Sequence, residues 1–177
     1  IIMGAGIPTT ATYIILVAVA APALAQLGVE PLVSHFFVFY YGVLADITPP
    51  VALAAYAAAG IAGSNPFQTG NTAFRLGIAK ALVPFVFVYS PSLLLVAEGF
   101  TWSDFGITLA GAMIGIGLLG AAFSGYMLAP LRRVERWYLG LVSLLFVAPG
   151  LGSMAAGAVL FAPVLWLQLR ARRQLTA

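Results

Sequence analysis

The chemistry in this chain is concentrated at Leu44-Ala45-Asp46-Ile47-Thr48-Pro49-Pro50, where Asp46 is the only acidic residue between Glu30 and Glu98 and lies inside an apolar stretch from Phe36 to Ala62. A carboxylate within membrane-buried sequence is costly and marks a candidate functional site. Pro49 and Pro50 remove two backbone donors and bias Thr48 away from helix, so carbonyls one turn earlier lose their partners. Unpaired carbonyls beside an acid and a hydroxyl form a set of oxygen donors suited to a hard cation. Sodium is the candidate ion, with Thr48 and Asp46 as candidate ligands alongside the backbone of Ile47, Pro49 and Pro50. The plainer reading is an acid at a helix end capping backbone amides, with two prolines that only kink the segment.

A second interruption stands at Gly4-Ala5-Gly6-Ile7-Pro8-Thr9-Thr10. Its two glycines and one proline oppose a regular helix, and Thr9 and Thr10 can cap a helix that starts after them. Secondary transporters hold ions and anionic substrates where two interrupted segments bring half-helix ends to one point near the bilayer midplane. Gly4, Gly6, Pro8, Thr9 and Thr10 therefore join Asp46, Ile47, Thr48, Pro49 and Pro50 as candidate substrate- or ion-binding residues. Both segments are expected to be non-helical and to approach each other.

The elements that must position these residues are membrane helices. The chain is 62% hydrophobic and 7% charged, with a mean hydropathy of +1.05, whereas about a quarter of residues are charged in soluble domains. These values point to an all-α integral membrane protein, since the pattern lacks the alternation of a lumen-facing barrel. The net charge of +3 resides in basic residues beside apolar segments, which serve as membrane-surface anchors, so nucleic-acid binding is set aside. With no cysteine, disulfides, thiolate metal sites and cysteine catalysis are excluded. No catalytic triad, phosphate loop or His-Glu-x-x-His motif is present, so an enzyme is not expected, and neither is a cofactor beyond a coupling ion.

The expected order begins with a helix from Ala11 to about Gln26, 16 residues and about 24 Å long, too short for a hydrocarbon core of about 30 Å and fitting one arm of a re-entrant hairpin. Next come a helix over 36–62 broken at 46–50, a polar run from Ser64 to Asn71, and a transmembrane helix over 81–97 kinked at Pro84 and Pro91, with Lys80 at its start. Residues 1–97 form one expected region and 98–177 a C-terminal transmembrane extension. The extension holds a helix from Phe105 to Ala129, whose Gly111, Gly115 and Gly117 mark a packing face. Its last apolar region, Trp137 to Leu169, is split at Pro149 to Gly152 into two short helices or a re-entrant hairpin. Arg75 with Lys80, the cluster Arg132 to Arg136 and the tail Arg170 to Arg173 are assigned to the cytoplasmic side. His35 is expected to make a single interfacial hydrogen bond rather than to hold a metal. The chain enters apolar sequence at Ile1, as expected for the C-terminal part of a longer protein.

Gly4 to Ala11, Phe37 to Ala54 with its Asp46-Ile47-Thr48-Pro49-Pro50 core, and Ala73-Phe74-Arg75-Leu76-Gly77 with Pro84-Phe85 resemble the C-terminal part of the large membrane subunit of tripartite ATP-independent periplasmic (TRAP) transporters. The similarity is greatest to the fused-permease type that works with TAXI-class solute-binding proteins, and it covers Ile1 to about Leu95. The resemblance implies the second inverted repeat of an elevator-type secondary transporter in the bacterial inner membrane. Gly4 to Thr10 would be a hairpin tip and Asp46 to Pro50 the unwound point of a broken helix. It further implies ion-coupled import of small organic acids, generally with sodium, delivered by a periplasmic binding protein and carried together with an N-terminal repeat outside this chain. Asp46 stands where more familiar members tend to be apolar, so proton coupling stays open. The rival is a non-transporting membrane scaffold subunit whose broken helices serve packing only.

Overall fold

The computed structural model describes residues 6–95 and 100–175. The described residues form helices joined by short turns, and four helical stretches are long and apolar enough to cross a membrane. The chain divides into two compact units, residues 1–91 and 92–177.

The first unit opens with α1 (Thr9–Gln26) and α2 (Pro31–Ala45). The turn between them is tight because Gly28 adopts φ +79° and its amide donates to the Ala25 carbonyl at 3.0 Å. Glu30 is extended and Pro31 takes the first helical position, where its missing donor has no intrahelical partner to lose. Gly42 lies on the face of α2 turned to α1, where a Cβ would make an ordinary contact with the Thr12 methyl at 3.5 Å. After α2 the chain leaves the helix over Asp46 to Ala52 and resumes as α3 (Leu53–Ala62). The expected interrupted helix is therefore present, with its first arm beginning at Pro31 rather than Phe36.

Three expectations in this unit are corrected. Thr9 and Thr10 belong to the first turn of α1, which makes that helix 18 residues long, the length of a short span. The polar run from Ser64 is no loop beyond its first residues: Asn65 caps α4 (Pro66–Gly77) by accepting the Gln68 amide at 3.0 Å. A 3₁₀ stretch over Ile78–Leu82, containing Lys80, leads directly into α5 (Val83–Tyr89). The helical run thus covers Pro66–Tyr89 rather than residues 81–97. Pro84 sits in the first turn of α5, where a proline is tolerated. The helix stops at Tyr89 because Ser90, which precedes Pro91, is driven out of helical geometry to φ −142° and ψ 74°. Aromatic pairs hold α5 on α2, with ring centroids 5.7 Å apart for Phe36 and Phe87, and 5.5 Å for Phe37 and Phe85.

The second unit is built from α6 (Trp102–Ser124), α7 (Arg133–Val147) and α8 (Leu151–Leu175). Thr101 caps α6 through the Asp104 amide, and Gly125 at φ +78° ends it before the expected Ala129. Gly111 and Gly115 pack against α7, since a Cβ would meet the Phe146 carbonyl oxygen at 2.6 Å and the Ser143 carbonyl oxygen at 2.9 Å. Gly117 faces open space and takes no part. The core gathers Leu118, Ala122, Leu139, Val142, Phe146 and Val164.

The split at Pro149 to Gly152 is present, but α8 is not a short element. It continues through Arg170, Arg172 and Arg173 to Leu175 and has the length of a full span. Basic residues read as a flanking tail are helical because long side chains carry their charge away from the apolar surface while the backbone stays regular. Arg170 lies over the Trp166 ring at 3.5 Å from its centroid. One buried polar residue, Gln168, is satisfied by the Ala129 amide at 3.0 Å.

The glycine face carries the first prediction. Gly111→Ala places a methyl on backbone that cannot rotate away and should cost about 1–3 kcal/mol as overpacking. Gly117→Ala should be neutral or slightly stabilising through helix propensity. Thermal unfolding of the full chain reads both, and equal effects would show that α6 and α7 do not meet through Gly111.

Candidate functional site

Three helix ends converge around Asp46. It is the C-terminal cap residue of α2, where the macrodipole is negative and a carboxylate is unfavourable by about 0.3–1 kcal/mol. The compensation comes from the start of α1: the Thr9 hydroxyl donates to Asp46 Oδ2. A carboxylate that burdens one helix terminus is thus placed at the positive terminus of another. The start of α3 closes the group, since the Ala54 amide donates across the break to the Asp46 carbonyl at 3.1 Å.

Within the break the backbone is held by few bonds. Thr48 N donates to the Ala45 carbonyl at 3.1 Å, and the Thr48 carbonyl accepts from Ala52 N at 3.1 Å. The Pro49–Pro50 peptide is cis, and Ala52 is left-handed at φ +37° although it carries a side chain. The Pro50 carbonyl is taken by the Tyr56 hydroxyl at 2.6 Å, one turn into α3. Among the described residues the Ile47 and Pro49 carbonyls accept no hydrogen bond. The Thr48 hydroxyl spends its proton on the Leu44 carbonyl at 2.7 Å. Its lone pairs remain, and those are what a cation would use.

Of the residues singled out by sequence, the structure brings Gly6, Thr9 and Asp46 together with the break. Gly6 is left-handed at φ +83°, and a Cβ on it would lie 3.4 Å from a Val51 methyl carbon. Pro8 caps the start of α1 through its backbone, its carbonyl accepting from Thr12 N at 2.9 Å. Thr10 is exposed on the helix. Gly4 lies outside the described residues, as does Glu98. Asp46 is a C-terminal rather than an N-terminal cap, and its described carboxylate bond runs to a side chain in another element, not to a local amide.

Several contributors went unread. Thr12, buried in α1, donates to the Ile7 carbonyl at 3.1 Å and so ties down the tip. Tyr56 closes the Pro50 carbonyl, and Tyr41 on α2 donates to the Ala81 carbonyl at 3.1 Å, pinning the 3₁₀ stretch. Gly70 on α4 permits the approach of Tyr56, whose Cε1 would stand 2.8 Å from an added Cβ. A tyrosine in an apolar helix carries no local mark of its partner; only the run of unpaired carbonyls left by two prolines signals that some donor must come. His35 makes the one expected bond, to the Tyr13 hydroxyl at 2.7 Å.

The Thr9 bond generates the second prediction. Thr9→Val keeps the volume and removes the donor, costing about 1.5–3 kcal/mol of tip docking, as for a hydrogen bond to a charged group. Hydrogen exchange at the amides of Ile47, Thr48, Ala52 and Ala54 should quicken correspondingly. Thr10→Val, on an exposed position, should leave it unchanged, and equal behaviour of the two variants would remove Thr9 from the site.

The model of the family described as tripartite ATP-independent periplasmic transporter, DctM component, matches residues 1–102. No curated protein and no solved structure matched the chain.

Proposed function

Because the chain belongs to the DctM-component family of tripartite ATP-independent periplasmic transporters, we propose that it forms the second repeat of an ion-coupled permease importing small organic acids. The family is one of transporters, not of enzymes, and the apolar helices make the chain a multi-pass membrane protein. In this reading the turn before α1 is the tip of a re-entrant hairpin and α2 with α3 is the broken helix of an elevator-type carrier. An N-terminal repeat completes the site, and a periplasmic binding protein of the TAXI type delivers the acid. The bacterial inner membrane is the setting, with the basic segments on its cytoplasmic side.

The observation that carries the reading is the meeting of α1 and the α2–α3 break through Thr9 and Asp46. Broken backbone at membrane depth is tolerated where it lines a cavity or binds a ligand. The Asp46 carboxylate, the Ile47 and Pro49 carbonyls and the Thr48 hydroxyl supply oxygens of the kind sodium takes, with a single full charge among them. No second acid is needed for a monovalent cation. A scaffold role would leave those carbonyls without a purpose.

Uptake by the full permease, reconstituted with its binding protein under an imposed sodium gradient, tests the proposal. Sodium should be required. Asp46→Asn should retain transport with sodium affinity about tenfold weaker, the amide oxygen still coordinating but without charge, a loss of roughly 1.4 kcal/mol. Complete loss in Asp46→Asn together with uptake that follows the proton gradient alone would assign proton coupling instead. An unchanged rate and ion affinity would reduce Asp46 to an anchor for the tip and overturn its coupling role.

A further inference from the structure

The N-terminal turn of α7 carries Arg132, Arg133 and Arg136 at the positive end of the helix, where cations are disfavoured. One of the three guanidinium groups, that of Arg136, is answered by hydrogen bonds. Glu135 accepts the Arg132 amide at 3.0 Å and brings a negative charge to the same turn. Arg136 turns to the carbonyl end of α6, its Nε donating to the Ala122 carbonyl at 2.7 Å and its Nη2 to the Phe123 carbonyl at 3.0 Å. Arg133 makes no hydrogen bond or ion pair among the described residues, and it lines the mouth of a cavity of about 430 Å³.

That cavity changes character along its length. Arg133, Arg136 and Trp137 with Phe123 form one end, while Leu119, Leu141 and Leu144 form the rest. On α7 the lining positions 133, 137, 140, 141 and 144 follow helical spacing down one face. From Arg133 to Leu144 the face runs about 16 Å, close to half of a hydrocarbon core of about 30 Å. A groove one leaflet deep, cationic and tryptophan-marked at its mouth and apolar below, has the polarity of a phospholipid. Trp137 is 79% exposed, as an interfacial anchor beside a headgroup would be.

We propose that the α6–α7 groove is a binding site for an anionic diacyl phospholipid of the cytoplasmic leaflet, its phosphate held by Arg133 beside Trp137 and an acyl chain laid along Leu119, Leu141 and Leu144. Basic pockets between membrane helices recognise such headgroups. The anion adds negative charge beside Glu135 against three arginines, so occupancy stabilises the turn that links α6 to α7.

The test uses the full chain purified in neutral detergent and its thermal unfolding with added phosphatidylglycerol, phosphatidylcholine or inorganic phosphate. Phosphatidylglycerol should raise the midpoint in a saturable way, and the other two should not. Arg133→Gln should weaken the apparent affinity about tenfold, the worth of one charge-assisted contact, with its lipid-free midpoint unchanged or slightly raised as a cation leaves the helix start, and Arg133→Lys should restore most of the affinity. Gly140 lines the groove and a Cβ there meets nothing within 4 Å, so Gly140→Leu should fill the space and abolish the phosphatidylglycerol response without loss of basal stability. Equal responses to both lipids, a response to inorganic phosphate alone, or an unchanged response in Arg133→Gln would each overturn the proposal. A fall in the lipid-free midpoint of Gly140→Leu would show that a protein segment occupies the groove, which overturns it too.

Discussion

Everything in the first unit turns on the hydrogen-bonding debt of a helix stopped inside apolar sequence. In lipid, an unpaired peptide group costs several kcal/mol, so an interruption survives only if other groups replace the lost bonds. Pro49 and Pro50 impose the loss by having no N–H. The replacements come from two elements: Thr9 at the start of α1 for the Asp46 carboxylate, and Ala54 and Tyr56 in α3 for the Asp46 and Pro50 carbonyls. The same demand accounts for a glycine nearby. Gly70 stands where the Tyr56 ring comes within 2.8 Å of an added Cβ, and a larger side chain there would push that donor away from the break.

The second unit solves a different problem with the same materials. It has no interruption to satisfy within its long helices, so its glycines serve helix contact: Gly111 and Gly115 on α6 bring its surface onto backbone carbonyls of α7. Its buried polar residues are satisfied where they lie: Ser143 donates to the Gly140 carbonyl at 2.7 Å within α7. Gln168 bridges the Ala129 amide and, at 3.4 Å, the Glu135 carboxylate, which ties the loop after α6 to both α7 and α8. A buried amide is acceptable because both of its ends find partners.

The break at Asp46 was legible in the sequence because prolines and an intramembrane acid act locally: their effect on the backbone does not depend on what packs around them. The approach of the Gly6–Thr9 tip was expected from two sets of released backbone groups, but in the structure it runs through the Thr9 hydroxyl and the Asp46 carboxylate. Tyr56 and Tyr41 were not legible, because a hydroxyl at the end of an aromatic ring finds its acceptor through tertiary geometry. Helix boundaries failed where polarity was equated with loop. Pro66–Gly77 is helical with its polar residues on one side, and α8 runs on through three arginines. Polarity decides which face of a helix meets lipid, and only lost backbone donors or a left-handed residue end it.

The strengths of the contacts also differ across the first unit. The α2–α5 seam is made of interlocked aromatic rings around buried Val86 and Phe87, each ring pair adding about 0.5–1.5 kcal/mol beyond the area it buries. The tip before α1 rests on one charge-assisted hydrogen bond and the Thr12 tether. Elements that open locally are those with few buried apolar contacts and exposed backbone bonds. The tip therefore sits at the low end of that range while the seam sits at the high end. The Thr9 hydroxyl holds one oxygen of the Asp46 carboxylate, so the tip is docked through the same side chain that places a charge in the interrupted helix.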